Sequence, residues 1–385
     1  MNKHGRLPLF LPLFLLAAVV GCEPHPPYPN IFEAAEKGTA DDVRFFILKG
    51  VGINAKDSRE WRPLHHAAVA NPDMAVLESL VKQGAEVDAK DWLGWTPLYA
   101  AAGSNPNVDV FKYLVEQGAD VNAKNSSDTT PLHRAVEGNP NIEVLKFLVE
   151  QGADVNAKNV NGVTPLHFAV MKNTDVEVIK YLIEHGADIR ARSIFDWTTI
   201  HYAAFFNPNV DILKYLIEQG ENVNVTKRGG TTPLHSAIQN NPNIDVIKFL
   251  IEQGANIRAK DEDGMMPIHV AAWINFDVVD VLKLLIEHGA DVNVRNNCGE
   301  TPLHFAARKS LLYDNFLFTT PKAGSLKYTA EDALKYLIEQ GADVNAISDK
   351  GNTPLDEANT EEKQTILREA DGISNQPNQP DEDDL

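Results

Sequence analysis

Histidine is the side chain in this chain with the widest chemical reach. Seven of the twelve histidines fall on one regular spacing, with a single place skipped between the first two, at His65, His133, His167, His201, His235, His269 and His304. An imidazole can bind a metal or move a proton near neutral pH. Neither role suits this spacing, because side chains placed one structural unit apart cannot share an ion. The sequence has no His-x-x-x-His pair, no Cys-x-x-Cys pair and no Gly-x-Ser-x-Gly elbow. Gly229-Gly230 is a lone glycine pair at a turn, not a phosphate loop. Carboxylates such as Glu252 and Asp261 recur at equivalent positions and read as a solvated face. The expectation is a protein with no catalytic residue, no metal and no cofactor, so not an enzyme.

The elements that position these histidines repeat with them. A TPLH-like motif has its second residue at Pro63, Pro97, Pro131, Pro165, Thr199, Pro233, Pro267, Pro302 and Pro354. The first six intervals are 34 residues, the next 35 and the last 52. Glycines keep the same beat from Gly50 through Gly186 to Gly341. This pattern resembles the ankyrin repeat, with its T-P-L-H-x-A and E-x-G-A-D-V-N signatures, over about residues 30–370. The resemblance implies an all-α ankyrin-repeat solenoid of stacked helix-turn-helix units joined by short β-turn fingers. It also implies that the histidine makes a hydrogen bond within its turn.

The residues of one unit support that architecture. Thr232 can cap a helix and Pro233 suits its first turn. Leu234, Ala237 and Ile238 form one buried face, and Ile244, Ile247, Leu250 and Ile251 are spaced for the inner face of a second helix. Gly254 then ends that helix in the left-handed conformation. An Asn-Pro-Asn at 105–107, 139–141, 207–209 and 241–243 falls between the two helices. Proline disfavours helix at the preceding asparagine, and the following one can cap the second helix. No unit can bury its apolar face alone, so neighbours must stack.

About nine repeats and a C-terminal capping unit fill residues 30–370. An insertion near 310–328 carries Tyr313, Phe316 and Phe318. The polar, acidic tail 371–385 should be disordered. At the other end, Lys3 and Arg6 precede an apolar run from Leu7 to Val20. Fourteen residues are too few to span a bilayer, so 1–21 reads as a secretory signal peptide. Val19-Val20-Gly21-Cys22 resembles the lipobox of bacterial lipoproteins, which implies a lipidated Cys22. A proline-rich linker, 22–29, follows. The expected location is the bacterial cell envelope, on the periplasmic side or the cell surface, with the lipid as the sole membrane contact.

The chain of 385 residues carries 54 Asp and Glu against 35 Lys and Arg. That balance argues against nucleic acid and against adsorption to anionic lipid. In ankyrin arrays the usual recognition surface is the concave side, built from turn tips and the exposed face of the first helix. Those positions here hold Trp92, Trp95, Phe168, Phe195, Trp197, Tyr202, Phe205, Phe206, Trp273 and Phe305. Exposed aromatics in a patch mark interaction sites. The small pairs Ala203-Ala204 and Ala271-Ala272 should pack inward and turn Phe205, Phe206 and Trp273 outward. The reading is a monomeric, membrane-anchored scaffold that binds another protein. A structural tether and a carbohydrate-binding module are the alternatives.

Overall fold

The computed structural model describes residues 27–172, 175–273, 278–308 and 329–372. These form ten helix pairs. Repeat 1 is Ile31–Lys37 with Ala40–Leu48, repeat 2 Pro63–Ala70 with Met74–Lys82, and repeat 3 Pro97–Ala102 with Val108–Glu116. Repeats 4 to 6 are Pro131–Gly138 with Ile142–Glu150, Pro165–Lys172 with Val176–Glu184, and Thr199–Phe206 with Val210–Glu218. Repeats 7 and 8 are Pro233–Asn240 with Ile244–Glu252 and Pro267–Trp273 with Val278–Glu287. Repeats 9 and 10 are Pro302–Arg308 with Ala330–Glu339 and Pro354–Glu357 with Glu361–Glu369. Each first helix packs on the next first helix from end to end. No strand occurs among the described residues, only an isolated bridge between Arg192 and Thr198. No described helix is long and apolar enough to cross a membrane. Residues 1–21, Cys22 and the insertion near 310–328 lie outside the described residues, as does the tail beyond Gly372.

Local chemistry accounts for each boundary. Thr96, Thr232 and Thr353 accept from the backbone N–H three residues on, with proline as the first helical residue. Asn107, Asn141, Asn209 and Asn243 cap the second helices with their side-chain oxygens. Gly254 adopts φ +86° just past the helix end. Leu234, Ala237 and Ile238 are buried, as are Ile247, Leu250 and Ile251. Ile244 is only half-buried, because it begins its helix; Val246 takes the inward place beside Ile247. Asp128 and Asp196 do not alter their turns. They hold φ of 58° and 59°, the left-handed conformation that Gly94, Gly162 and Gly264 adopt in other fingers.

The first asparagine of each Asn-Pro-Asn has a role beyond ending a helix. Its side chain is inserted between repeats. Asn241 Nδ2 donates to the Ala204 and Asn207 carbonyls, both at 2.8 Å. Asn139 does the same to Ala102 and Asn105, and Asn207 reaches Val170. At the C-terminal end Lys363 Nζ, buried, donates to Ala307 O in the equivalent place. A second ladder runs along the helix C-terminal turns, where Asn122 and Asn156 each donate to the glycine carbonyl of the next repeat and accept an N–H from it.

Asn241→Ala should therefore cost more than Asn243→Ala. The first strands two buried carbonyls at about 1–3 kcal/mol each, and the second removes a cap worth about 1 kcal/mol. Urea unfolding of the two variants checks the order; an equal loss would show that the buried bonds are dispensable.

Candidate functional site

The histidines are held in a geometry that excludes proton transfer. Each Nε2 faces a backbone carbonyl of the next repeat. His65 meets Trp95 O at 3.0 Å, His133 Val163 O at 3.1 Å, His201 Thr231 O at 3.1 Å and His304 Asn352 O at 3.1 Å. A carbonyl only accepts, so Nε2 carries the proton. Nδ1 then accepts from its own turn, at 3.1 Å from Thr164 N for His167 and 3.3 Å from Thr232 N for His235. Protonating Nδ1 would set one donor against another. Burial adds to this and pushes His133, His167, His201 and His269 down to about 4. In repeat 3 Tyr99 replaces histidine and reaches Thr129 Oγ1 instead, at 3.0 Å. Among the described residues no group of His, Cys, Asp and Glu could hold a metal.

Nine fingers precede the first helices of repeats 2 to 10, at 57–60, 91–94, 125–128, 159–162, 193–196, 227–230, 261–264, 296–299 and 348–351. Neighbouring fingers are joined by single backbone bonds, such as Ser126 N to Leu93 O at 2.8 Å and Ile194 N to Asn161 O at 3.0 Å. Among the described residues no such bond joins finger 57–60 to 91–94, or 193–196 to 227–230. Aromatic clusters stand at both gaps. Trp61, Trp95 and Tyr99 form the first, with Arg59 over Trp61 and Arg134 over Trp95. Trp197, Tyr202, Phe205 and Phe206 form the second, with ring centroids 4.7–6.4 Å apart. Lys227 Nζ lies 4.2 Å from the Trp197 ring centroid, in cation–π range.

The structure sorts the sequence candidates into three groups. Trp92 at 64%, Phe195 at 56% and Trp273 at 56% exposure are open to solvent. Trp95, Phe168, Trp197, Tyr202 and Phe206 are half-buried, each offering part of a ring. Phe205 at 9% and Phe305 at 6% are buried, contrary to expectation. Phe205 faces Trp197 edge-on at 5.3 Å, and Phe305 covers His269 of the preceding repeat at 5.7 Å. The residue after the motif histidine roofs the imidazole of the repeat before it, which is why Phe168 and Tyr202 are also partly covered. The candidates do not form one patch. Trp197, Tyr202 and Phe206 come together, Trp273 stacks beside Phe305, and Trp92 stands on its own finger.

Sequence reasoning passed over the cations on these rings, and over the exposed Val160 and Ile194 at neighbouring fingertips. A signal for Lys227 was available. Lys56, Lys90, Lys124, Lys158 and Lys260 precede their fingers, whereas Thr226 holds that place in repeat 7 and the lysine follows one residue later. An open cavity of about 310 Å³ lined by Ala135, Asn139, Ile142 and Val178 involves none of these rings.

With fingers, caps and paired helices in place, the match to known families is direct. A model described as ankyrin repeats, three copies, matches residues 31–125, 124–193, 191–261 and 241–318, and a single ankyrin repeat model matches 298–349. The chain belongs to the ankyrin repeat family. No curated protein matches it. Ankyrin repeats are generally protein-binding modules rather than enzymes. In this ankyrin array the fingers and first helices carry the aromatic clusters, while the second helices carry Glu–Lys pairs such as Glu143–Lys146 and Glu177–Lys180.

One buried carboxylate departs from the ankyrin pattern. Glu221 stands where Ala85, Ala119, Ala153, Ala187 and Ala255 stand in other repeats. Burial pushes it up to about 7, against the pull of Arg190 and the Ile200 backbone N–H.

Two pH effects of opposite sign follow. The unfolded histidines protonate near 6.5, while four in the stack resist until about 4. Above 6.5 both states are neutral. As pH falls from 6.5 toward 4 only the unfolded chain takes up protons, so stability drops by up to about 1.4 kcal/mol per pH unit for each histidine. Glu221 acts the other way, since its folded value lies above the unfolded one. Its contribution is complete below about 4.5 and is lost as pH rises through about 7. Glu221→Gln should raise the melting temperature at pH 8 and leave it nearly unchanged at pH 4.5. Melting curves across that range test both signs.

Burial also separates the aromatics. Phe205→Ala should cost about 3–5 kcal/mol, whereas Trp273→Ala should stay within about 0.5 kcal/mol. Equal unfolding midpoints for the two variants would refute this division.

Proposed function

We propose that this ankyrin array is a membrane-anchored scaffold that captures a partner protein on its finger and first-helix face. The observation that carries the reading is the pairing of partly exposed rings with cations along that face, at Trp61 with Arg59, Trp95 with Arg134 and Trp197 with Lys227. Aromatic and guanidinium groups dominate the energy of protein interfaces, and rings held by packed neighbours lose little entropy on binding. A tether would need no such surface. A sugar site would surround its rings with amides and carboxylates, whereas cations lie over these rings. Anchoring rests on Cys22 and the apolar segment before it. More than one acyl chain is needed for stable attachment, and the thioether plus amide lipid of a lipoprotein would supply it.

Photo-crosslinking residues at Phe195 and Trp92, compared with Asp211 and Asp245 on second helices, test the face in intact cells. A discrete protein adduct is expected from the fingertips alone. Adducts from the second helices, or none from the fingertips, would overturn the reading. Cys22→Ser tests the anchor separately: the variant should leave the membrane fraction or remain unprocessed.

A further inference from the structure

Eight of the nine fingers open with a side chain that folds back onto its own turn. Asp57, Asp91, Asn125, Asn159, Asp261 and Asn296 each use Oδ1 to accept two backbone N–H groups, two and four residues on. Ser193 and Ser348 accept one. The Asp and Asn turns are self-satisfying, and the two serine turns answer one of the two N–H groups. Repeat 7 breaks the rule with Lys227, a side chain that only donates.

The consequences can be followed atom by atom. The turn still closes, through Lys227 N to Thr231 O at 3.1 Å and Gly230 N to Lys227 O at 3.0 Å. Gly229 and Gly230 both take positive φ, 87° and 74°. The Gly229 and Thr231 N–H groups, which match those of Asp263 and Met265 in the next finger, have no acceptor among the described residues. Thr231 Oγ1 and Ser236 Oγ are buried without a partner, and Ser236 is only 1% exposed. Lys227 makes no ion pair among the described residues. The carboxylate that acts on it through space is Asp261, whose Oδ1 is already committed to Asp263 N and Met265 N. Its ammonium rests on Trp197, beside Tyr202 and Phe206, whose rings are stacked 6.3 Å apart. The finger also makes no backbone bond to the finger before it.

We infer that finger 227–230, with Trp197 and Tyr202, is a notch for an acidic side chain of an extended partner peptide, whose carboxylate supplies the acceptor that the other fingers provide from within. The donors are one cation and two backbone N–H groups. What the eight sister turns place against such N–H groups is a carboxylate, amide or hydroxyl oxygen. A charged carboxylate also answers the ammonium and makes the stronger bonds. The rings beside it provide the second contact. In an extended peptide, residues two apart point the same way and lie about 7 Å apart. The recognised segment is thus an Asp or Glu two residues from an aromatic or large aliphatic side chain. A local rule broken without local compensation is the mark of a site kept for function.

This rests on the reading that the face binds protein, and the test separates the two. A random peptide library, displayed with its C-termini fused so that no terminal carboxylate is free, is selected on the immobilised full-length chain and on Lys227→Asp. Lys227→Asp restores the side chain of the sister fingers. It should raise the melting temperature while lowering capture of the selected peptides about tenfold or more. The selected peptides should carry Asp or Glu two residues from an aromatic or large aliphatic residue. A lowered melting temperature would sink the argument from the turn. Acidic peptides that bind Lys227→Asp equally well, or selection of basic ones, would overturn the notch and leave the scaffold reading standing. Absence of any selected peptide, with a Lys227-dependent signal on a panel of acidic oligosaccharides, would overturn both.

Discussion

A buried imidazole that donates to the next repeat's carbonyl is the contact on which the array depends. Helix packing alone would let neighbours slide, since Leu234 or Ile238 meets a similar apolar surface at several offsets. The Nε2 to carbonyl bond of His201 or His235 is satisfied at one offset only. Asn241 and Asn139 impose the same register at the other end of the first helices. An unmade bond there leaves a buried polar group unpaired, a penalty that decides between otherwise similar packings.

The same constraint occupies the motif histidines, the side chains with the widest chemical reach. The histidines spend both nitrogens on structure and are kept neutral by burial. Fingers project from this frame, and most neighbours are joined by a single backbone bond. Their tips are therefore free to differ, from Trp92 through Phe195 to Arg228, while the helices behind them stay alike. Repeat 6 and the finger after it depart furthest. Thr199 replaces proline, Arg190 replaces asparagine, Glu221 replaces alanine and Lys227 replaces the turn acceptor. Those changes lie in the stretch of chain that also carries the larger aromatic cluster.

Much of the candidate face was legible from spacing, because a position relative to TPLH specifies finger, first helix or second helix. Exposure was less legible. The paired alanines did turn Phe206 and Trp273 outward, yet Phe205 was drawn in by Trp197, which lies eight residues earlier and reaches it through the finger. Phe305 was covered because its ring roofs His269, one repeat away. The second contact joins two repeats and the first joins the end of a finger to the far end of the helix that follows it, so helical periodicity alone could reveal neither.

The sequence by itself determined the repeat, its caps and its buried face, since Thr-Pro at a helix start, Gly at its end and apolar residues three and four apart act within one turn or one helix. The tertiary structure alone decided which asparagines bridge repeats, which rings remain open and which neighbouring fingers are joined. Those properties belong to pairs of repeats. They depend on the register that burial and the imidazole bonds impose between neighbours, and a chain read one unit at a time does not contain that distance.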